Sequence, residues 1–164
     1  MVEEPLLLDS TYLLPIFGIG LEFRDFESTF TRLLEDYDVK YSPVSLIETK
    51  WAIIRRSKKL KESEKEEMFK NYRQGLISLQ RDPTLQATTL TNEAIEDSSD
   101  ALLNRHQISD YFDRQIYSTA AFLRCILLTE DETLHDLFNQ ASSSTLNTAR
   151  PARVMRWKEL ELRS

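Results

Sequence analysis

Four carboxylates occur where strand ends and helix starts are predicted: Asp9, Glu48, Asp113 and Asp131. Asp9 ends the run Leu6 to Leu8, a pattern typical of a strand that is buried on both faces. Burial of an unpaired carboxylate costs free energy or raises its pKa, so this aspartate requires a reason. In an open parallel sheet, ligands bind outside the carboxyl ends of the strands, which is where Asp9 is predicted to lie.

The chemistry that such acids suggest is divalent metal binding. Several carboxylates in one cleft repel one another unless a cation neutralises them, and oxygen ligands without His or Cys suit Mg²⁺ or Mn²⁺. Each acid also has a structural explanation when taken alone. Glu48 would complete a capping box with Ser45, the helix dipole would favour Asp113, and Asp131 would cap the next helix. The acid that ends the first strand has the weakest such explanation.

Composition predicts one globular domain over residues 1–164, because 41% of the residues are hydrophobic and 29% are charged. The single cysteine, Cys125, excludes an intramolecular disulfide and a multi-cysteine metal site. The net charge of −6 disfavours a nucleic-acid coat protein, yet it is compatible with an enzyme that holds nucleic acid through metal ions. The apolar segment Leu13 to Leu21 is too short to span a bilayer and follows no basic signal segment, so we expect a cytoplasmic protein.

Strand and helix patterns alternate along the chain, which predicts an α/β fold with a parallel sheet. The predicted strands are Leu6 to Leu8, a segment that ends near Pro43, Thr88 to Leu90, Cys125 to Leu128, and the closing RVMRWKEL. The predicted helix starts are Ser10, Phe26, Ser45, Thr91 and Ser109. Residues 57–75 are predicted to form a charged helix, and residues 139–151 a polar loop.

Four segments resemble the motifs of PIN-domain nucleases, in the same order: LLLDSTYLLP, VSLIETKWAI, DYFDRQIYSTA and LLTEDETL. The resemblance covers most of the chain. It implies a three-layer αβα sandwich around a mostly parallel sheet and a metal-dependent ribonuclease, often the toxin of a VapBC toxin–antitoxin pair. The residues that match the acids of the family are Asp9, Glu48, Asp113 and Asp131, with Thr129 as the hydroxyl beside the last acid.

The resemblance also implies a mechanism and roles for these residues. The carboxylates would hold one or two Mg²⁺ or Mn²⁺ ions, which activate water and stabilise charge on the scissile phosphate. Asp9 and Asp113 would be direct ligands, Glu48 a ligand or the group that orients the water, and Asp131 part of a second, weaker site. The implied partners are an RNA substrate, an antitoxin that covers the acids, and a second copy of the chain bound through the helix faces around Phe30 and Phe69.

Two other functions are compatible with the sequence. One is a PIN-like scaffold that binds RNA or a protein without cleavage. The other is an aspartate-based phosphatase, although the haloacid-dehalogenase pattern requires a second aspartate where Thr11 stands.

The charged helix and the polar loop both exceed what a minimal toxin of the PIN family needs.

One dense basic run follows the helix that carries Glu48: Arg55, Arg56, Lys58, Lys59 and Lys61. It has two interpretations. The run guides a phosphate backbone toward the acids, or it is a solvated helix face that pairs with Glu62, Glu64 and Glu66.

Overall fold

The first strand of the chain lies at the centre of a parallel sheet. The computed structural model describes residues 4–143 and 149–161. The strands are β1 (Glu4–Leu8), β2 (Tyr37–Tyr41), β3 (Leu85–Ala87), β4 (Ile126–Leu128) and β5 (Arg153–Met155). Their order across the sheet is β3-β2-β1-β4-β5. Because the chain crosses from β1 to β2 on one side and β4 pairs on the other, a crevice opens at the carboxyl end of β1.

Helices connect every pair of successive strands. A 3₁₀ helix (Ser10–Phe17) follows β1, and the α-helices are α1 (Phe26–Asp36), α2 (Pro43–Ser57), α3 (Glu62–Arg81), α4 (Glu93–His106), α5 (Tyr111–Leu123), α6 (Glu132–Ser143) and α7 (Trp157–Glu161). In the described residues, none of these helices combines the length and the apolar character needed to cross a bilayer.

The helices form a layer on each face of the sheet. Leu6 and Leu8 of β1 enter one hydrophobic core, and Leu7 between them enters the other. Besides residues of the 3₁₀ helix, the first core contains residues of four α-helices: Leu33 of α1, Ile53 of α2, Leu79 of α3 and Leu160 of α7. The second contains Leu102 of α4, Ile116 of α5 and Leu134 of α6. The predicted three-layer α/β sandwich is therefore confirmed, and the leucine run of β1 is buried on both faces.

Two strand positions differ from those predicted. The third strand is Leu85–Ala87 rather than Thr88 to Leu90, because β2 ends at Tyr41, which pairs with Ala87. The Thr88 N–H still donates to the Tyr41 carbonyl at 2.9 Å, and beyond it β2 offers no further partner. The fifth strand stops at Met155, and the rest of the predicted strand forms α7.

Three helix starts are shifted by one to three residues because other side chains provide the caps. Ser42 caps α2, where its Oγ accepts from the Val44 N–H at 3.2 Å and Pro43 occupies the first helical position. Asn92 rather than Thr91 caps α4, and Asp110 rather than Ser109 caps α5. In each case the observed cap is the residue whose side chain accepts the N–H groups of the first turn.

The charged segment and the polar loop also have different bounds. The segment predicted over 57–75 is α3, which begins at Glu62 and continues to Arg81. The α6 helix runs through Ser143, so the loop predicted over 139–151 begins as helix, and residues 144–148 lie outside the described residues. The extent of a single domain over residues 1–164 stays a prediction.

Gly75 allows α3 to approach the 3₁₀ helix. A Cβ at this position would collide with the Ile16 carbonyl oxygen and would lie 2.7 Å from Cδ1 of Phe17. The glycine is therefore required by close packing between a helix and backbone that leads directly from the carboxyl end of β1.

We expect Gly75→Ala to lower the free energy of unfolding by about 1–3 kcal/mol, because overpacking against backbone outweighs the gain in helix propensity of about 1 kcal/mol. Equilibrium urea unfolding measures this change. Gly20→Ala is the matched control, since a Cβ there meets nothing within 4 Å and should change stability by less than about 0.5 kcal/mol. A Gly75→Ala variant as stable as the Gly20→Ala variant would contradict the close approach.

Candidate active site

Asp9 is a nearly buried carboxylate at the carboxyl end of the central strand, and 9% of its surface is exposed. Its N–H donates to the Leu128 carbonyl at 3.0 Å, which continues the ladder between β1 and β4. Oδ1 accepts from the Ser10 N–H and Oδ2 from Thr129 Oγ1, each at 2.6 Å. Burial raises the pKa of Asp9 and the two hydrogen bonds oppose that rise. The carboxylate is therefore fixed in orientation by two residues that follow the ends of β1 and β4.

Thr129 connects the acids that follow β1 and β4. Its Oγ1 donates to Asp9 and accepts from the Asp131 N–H at 3.1 Å, so the hydroxyl hydrogen must point toward Asp9. The Thr129 N–H donates to the Met155 carbonyl at 3.0 Å, and its own carbonyl lies 2.9 Å from Nε2 of His135. The hydroxyl predicted to accompany the last acid is thus a buried bridge between two of the predicted site residues.

Glu48 reaches the same edge of the sheet from α2, where it accepts a hydrogen bond from the Ser10 hydroxyl. Burial raises the pKa of Glu48, the Ser10 hydrogen bond lowers it, and Asp9 raises it further. The capping-box interpretation is wrong, because Ser42 caps α2 and Ser45 lies buried inside the helix. The glutamate side chain is directed to the acids and not to its own helix terminus.

Asp113 lies in the first turn of α5 and has the most informative pKa of the group. Burial raises the pKa of Asp113 to about 7, and the negative charges of Asp110, Asp131, Asp9 and Glu48 contribute to the rise. The structure therefore brings all four predicted acids into one electrostatic cluster. Asp110, which caps α5, adds a fifth negative charge to it.

Asp131 has a structural role in addition to its place in the cluster. Its Oδ1 accepts from the Leu134 N–H at 3.0 Å and so caps the first turn of α6. In the described residues, no hydrogen bond occupies Oδ2. The predicted helix-capping role of Asp131 is thus confirmed for Oδ1, and the charge of Asp131 contributes to the raised pKa of Asp9 and of Asp113.

The two glutamates that flank Asp131 are engaged elsewhere. Glu130 Oε1 accepts from the Tyr12 hydroxyl at 2.8 Å and from the Trp157 N–H at 2.7 Å, and the two rings stack with centroids 5.4 Å apart. Glu132 pairs with both terminal nitrogens of Arg156 at 2.8 and 2.6 Å. Asp131 is therefore the acid of this segment that remains directed to the cluster.

Ser10 belongs to the site although the sequence did not assign it there. Its N–H contacts Asp9 and its hydroxyl contacts Glu48, so one residue connects the first acid to the second. Ser10 and Glu48 are 38 residues apart, and only the position of Ser10 directly after Asp9 signalled a role.

Comparison with solved structures identifies the fold. VapBC2 from Rickettsia felis, bound to a promoter DNA fragment, matches at 15% identity and TM-score 0.60 over 93% of this chain and 98% of the other. FitAB bound to the IR36 DNA fragment matches at 14% identity and TM-score 0.57, over 93% of this chain and 94% of the other. PAE2754 from Pyrobaculum aerophilum matches at 13% identity and TM-score 0.57, over 99% of this chain and 94% of the other. The chain has a VapC-type PIN-domain fold.

The PIN-domain resemblance inferred from the motifs is thus confirmed for the fold, which extends over most of the chain. No protein-family profile matches the sequence, and no curated protein matches it significantly.

The donor atoms at the edge of this PIN fold suit Mg²⁺ or Mn²⁺. They are carboxylate and hydroxyl oxygens, and the mutual repulsion of the acids is the kind that a bound cation relieves. Within residues 4–143 and 149–161, no three His, Cys, Asp or Glu side chains already stand together as a metal-binding group. Mg²⁺ commonly retains several waters and takes one or two protein carboxylates, so the chemistry fits without a complete protein cage.

The raised pKa of Asp113 makes the stability of the metal-free PIN fold depend on pH. The folded protein holds the proton up to about pH 7, whereas the unfolded chain releases it near the ordinary value of 3.8. Stability therefore decreases as the pH rises between these values. In EDTA, we expect Asp113→Asn to raise the Tm relative to wild type at about pH 7.5 and to raise it by less than half as much at about pH 5, where only the first part of the penalty has developed.

Thermal unfolding at the two pH values measures the difference between variant and wild type. Asp97→Asn, on the exposed face of α4, is the control and should leave Tm unchanged at both. An Asp113→Asn variant that shifts Tm equally at both pH values would show that the pKa of Asp113 is not raised in the folded protein.

Proposed function

We propose that the protein is a Mg²⁺- or Mn²⁺-dependent endoribonuclease that cleaves RNA phosphodiester bonds. The proposal rests on the electrostatic interaction of four carboxylates at the carboxyl end of the central strand. The charges of Asp9, Glu48 and Asp131 contribute to the raised pKa of Asp113. Such an edge is where parallel α/β sheets bind ligands. The PIN-domain fold supports the same activity, because the motifs that resemble those of PIN nucleases carry these acids.

The four acids have distinct proposed roles. Asp9 and Asp113 hold the divalent ion, which when bound supplies a water of lowered pKa and stabilises charge on the phosphate. Glu48, oriented by the Ser10 hydroxyl, either completes this ligand set or orients the attacking water. Asp131 keeps Oδ1 on its helix cap, and Oδ2 contributes to a weaker second site.

We also propose an antitoxin as the protein partner, with a segment that covers the acids. The likeness to VapBC2 supports this, since that protein was crystallised with promoter DNA as a VapB–VapC assembly.

A homodimer in the cytoplasm remains a prediction. Phe30 and Phe69 are partly buried against their own core, so Ile47 and Trp51, which are 47% and 55% exposed on α2, offer a better apolar surface.

A second candidate is a PIN-like scaffold that binds RNA or a protein without cleavage. It is favoured by one observation, the lack of a preassembled three-ligand metal group in the part of the chain that the structure describes. The two candidates differ in one measurable property, metal-dependent cleavage.

The test is cleavage of a panel of labelled single-stranded and structured RNAs in Mg²⁺, Mn²⁺ or EDTA. We expect cleavage by wild type with either metal, none in EDTA, and a loss of at least about 100-fold in Asp9→Asn. Asp97→Asn, which replaces an exposed aspartate outside the cluster, should retain full activity. Cleavage that persists in EDTA or in Asp9→Asn would reject the acid cluster as the site. Well-folded protein without cleavage would favour the scaffold.

Thr129 provides a test of how the first acid is oriented. We expect Thr129→Val to raise the Mn²⁺ concentration needed for half-maximal cleavage by about 10- to 100-fold, because Asp9 loses the donor that fixes it. Thr129→Ser keeps the hydroxyl and should remain within a few fold of wild type. Equal metal requirements for the valine and serine variants would show that the hydroxyl does not support the ligand.

A further inference from the structure

A small pocket lies next to the acid cluster, between the 3₁₀ helix and α2. Its volume is about 190 Å³, and it is lined by Thr11 and Leu14 from the first helix and by Glu48, Ala52 and Arg55 from the second. Small-molecule sites in proteins usually occupy about 300–1,000 Å³, so this pocket has the scale of one part of a ligand rather than a whole metabolite. Glu48 makes it continuous with the proposed active site.

Arg55 is the cation of this pocket. Glu48, Ala52 and Arg55 are spaced by four and three residues, so they share one face of α2. The guanidinium charge is close enough to favour the ionised form of Glu48. Within the described residues, Arg55 forms no ion pair with a carboxylate closer than 4.0 Å.

The other cations of α2 are placed differently. The ammonium group of Lys50 lies 4.5 Å from the centre of the Phe69 ring and 4.3 Å from that of Tyr72, so it contributes to the packing of α2 on α3. Arg56 is exposed and does not line the pocket. Arg55 is therefore the α2 cation that is directed to the acid cluster.

The expected pairing of the basic run with the glutamates of α3 is not found in the described residues. Glu62 pairs instead with Lys65 at 3.5 Å, and Glu64 accepts from the backbone N–H of Lys61 at 2.9 Å. The run is solvated as that interpretation expected, because all five of its cations are exposed, but its expected ion pairs with these glutamates are not found in the described residues. The guanidinium of Arg55 remains available to a ligand.

We propose that Arg55 and Thr11 form a subsite for the backbone phosphate of single-stranded RNA that neighbours the scissile phosphate. The inference rests on the proposed function and assigns the position of the strand on this site. A guanidinium binds phosphate oxygens with two parallel hydrogen bonds, and the Thr11 hydroxyl adds a third donor. Leu14 and Ala52 provide apolar surface for the ribose.

A positive group at this position answers an electrostatic difficulty of the site. The chain carries a net charge of −6, and the acid cluster concentrates negative charge where a polyanion must approach. A cation at the rim attracts the strand locally and directs one phosphate past the acids, without any requirement for a particular base.

Binding of a labelled single-stranded oligoribonucleotide tests the subsite. The measurement uses EDTA, which prevents metal-dependent cleavage, over a range of low salt concentrations. We expect Arg55→Gln to weaken binding about tenfold and to reduce the slope of log affinity against log salt by about 0.7, the value for one phosphate contact on a single strand. Arg56→Gln, the adjacent exposed arginine, should match wild type. Arg55→Lys should retain the salt slope, which separates loss of charge from loss of structure.

A second readout is cleavage in Mn²⁺, where Arg55→Gln should raise KM and leave kcat within about threefold of wild type. Equal affinities and salt slopes for Arg55→Gln and Arg56→Gln overturn the subsite even if wild type cleaves RNA. Wild type that binds no single-stranded RNA at low salt also overturns it. A selective loss of binding in Arg55→Gln without metal-dependent cleavage by wild type supports the subsite and contradicts the nuclease.

Discussion

The hydrogen bond from Thr129 to Asp9 joins the end of the central strand, β1, to the end of its neighbour β4, and the site depends on it. A carboxylate at the end of a strand buried on both faces would be strongly destabilised without partners. The Thr129 hydroxyl and the Ser10 N–H provide one donor for each oxygen of Asp9. These two bonds make an ionisable group compatible with the core beneath it and determine where the group points. The other acids are then arranged around a fixed centre.

The clustering of these acids, which suits the binding of a cation, lowers the stability of the metal-free fold. Burial and the negative charges of four other acids together raise the pKa of Asp113 to about 7. A protein selected only for stability would separate these charges, because each additional carboxylate in the cluster destabilises the metal-free fold. The two glutamates that flank Asp131 have partners that stabilise their charge. Glu130 accepts a hydrogen bond from Tyr12, and Glu132 pairs with Arg156. The unresolved repulsion is confined to the carboxyl edge of the sheet, where a ligand can relieve it.

The sequence predicted the fold well, because the fold follows from short-range patterns. The other three acids that it named contribute to the raised pKa of Asp113, while their roles stay predictions. The leucine run that ends on Asp9 and the alternation of strands with helices are visible within about ten residues. The sequence predicted the helix caps less accurately than the strands and helices. Ser109 and Asp110 are adjacent and both suit a helix start, and the hydrogen bonds of the Asp110 side chain decide between them. The end of β3 depends on the length of β2, which lies far away in sequence. The contact of Ser10 with Glu48 and the place of Arg55 beside the acids required the packing of α2 against the 3₁₀ helix.

The order of strands has a consequence for how the protein is made. The central strand β1 is synthesised first, but its partner β4 and the threonine that stabilises Asp9 come 120 residues later. A nascent chain on the ribosome therefore carries Asp9 without its donor until Thr129 has emerged, and the four acids cannot meet before Asp131 has emerged. An enzyme that cuts RNA with this cluster would stay inactive toward its own messenger until the segment that carries Thr129 and Asp131 has been made and has folded onto β1.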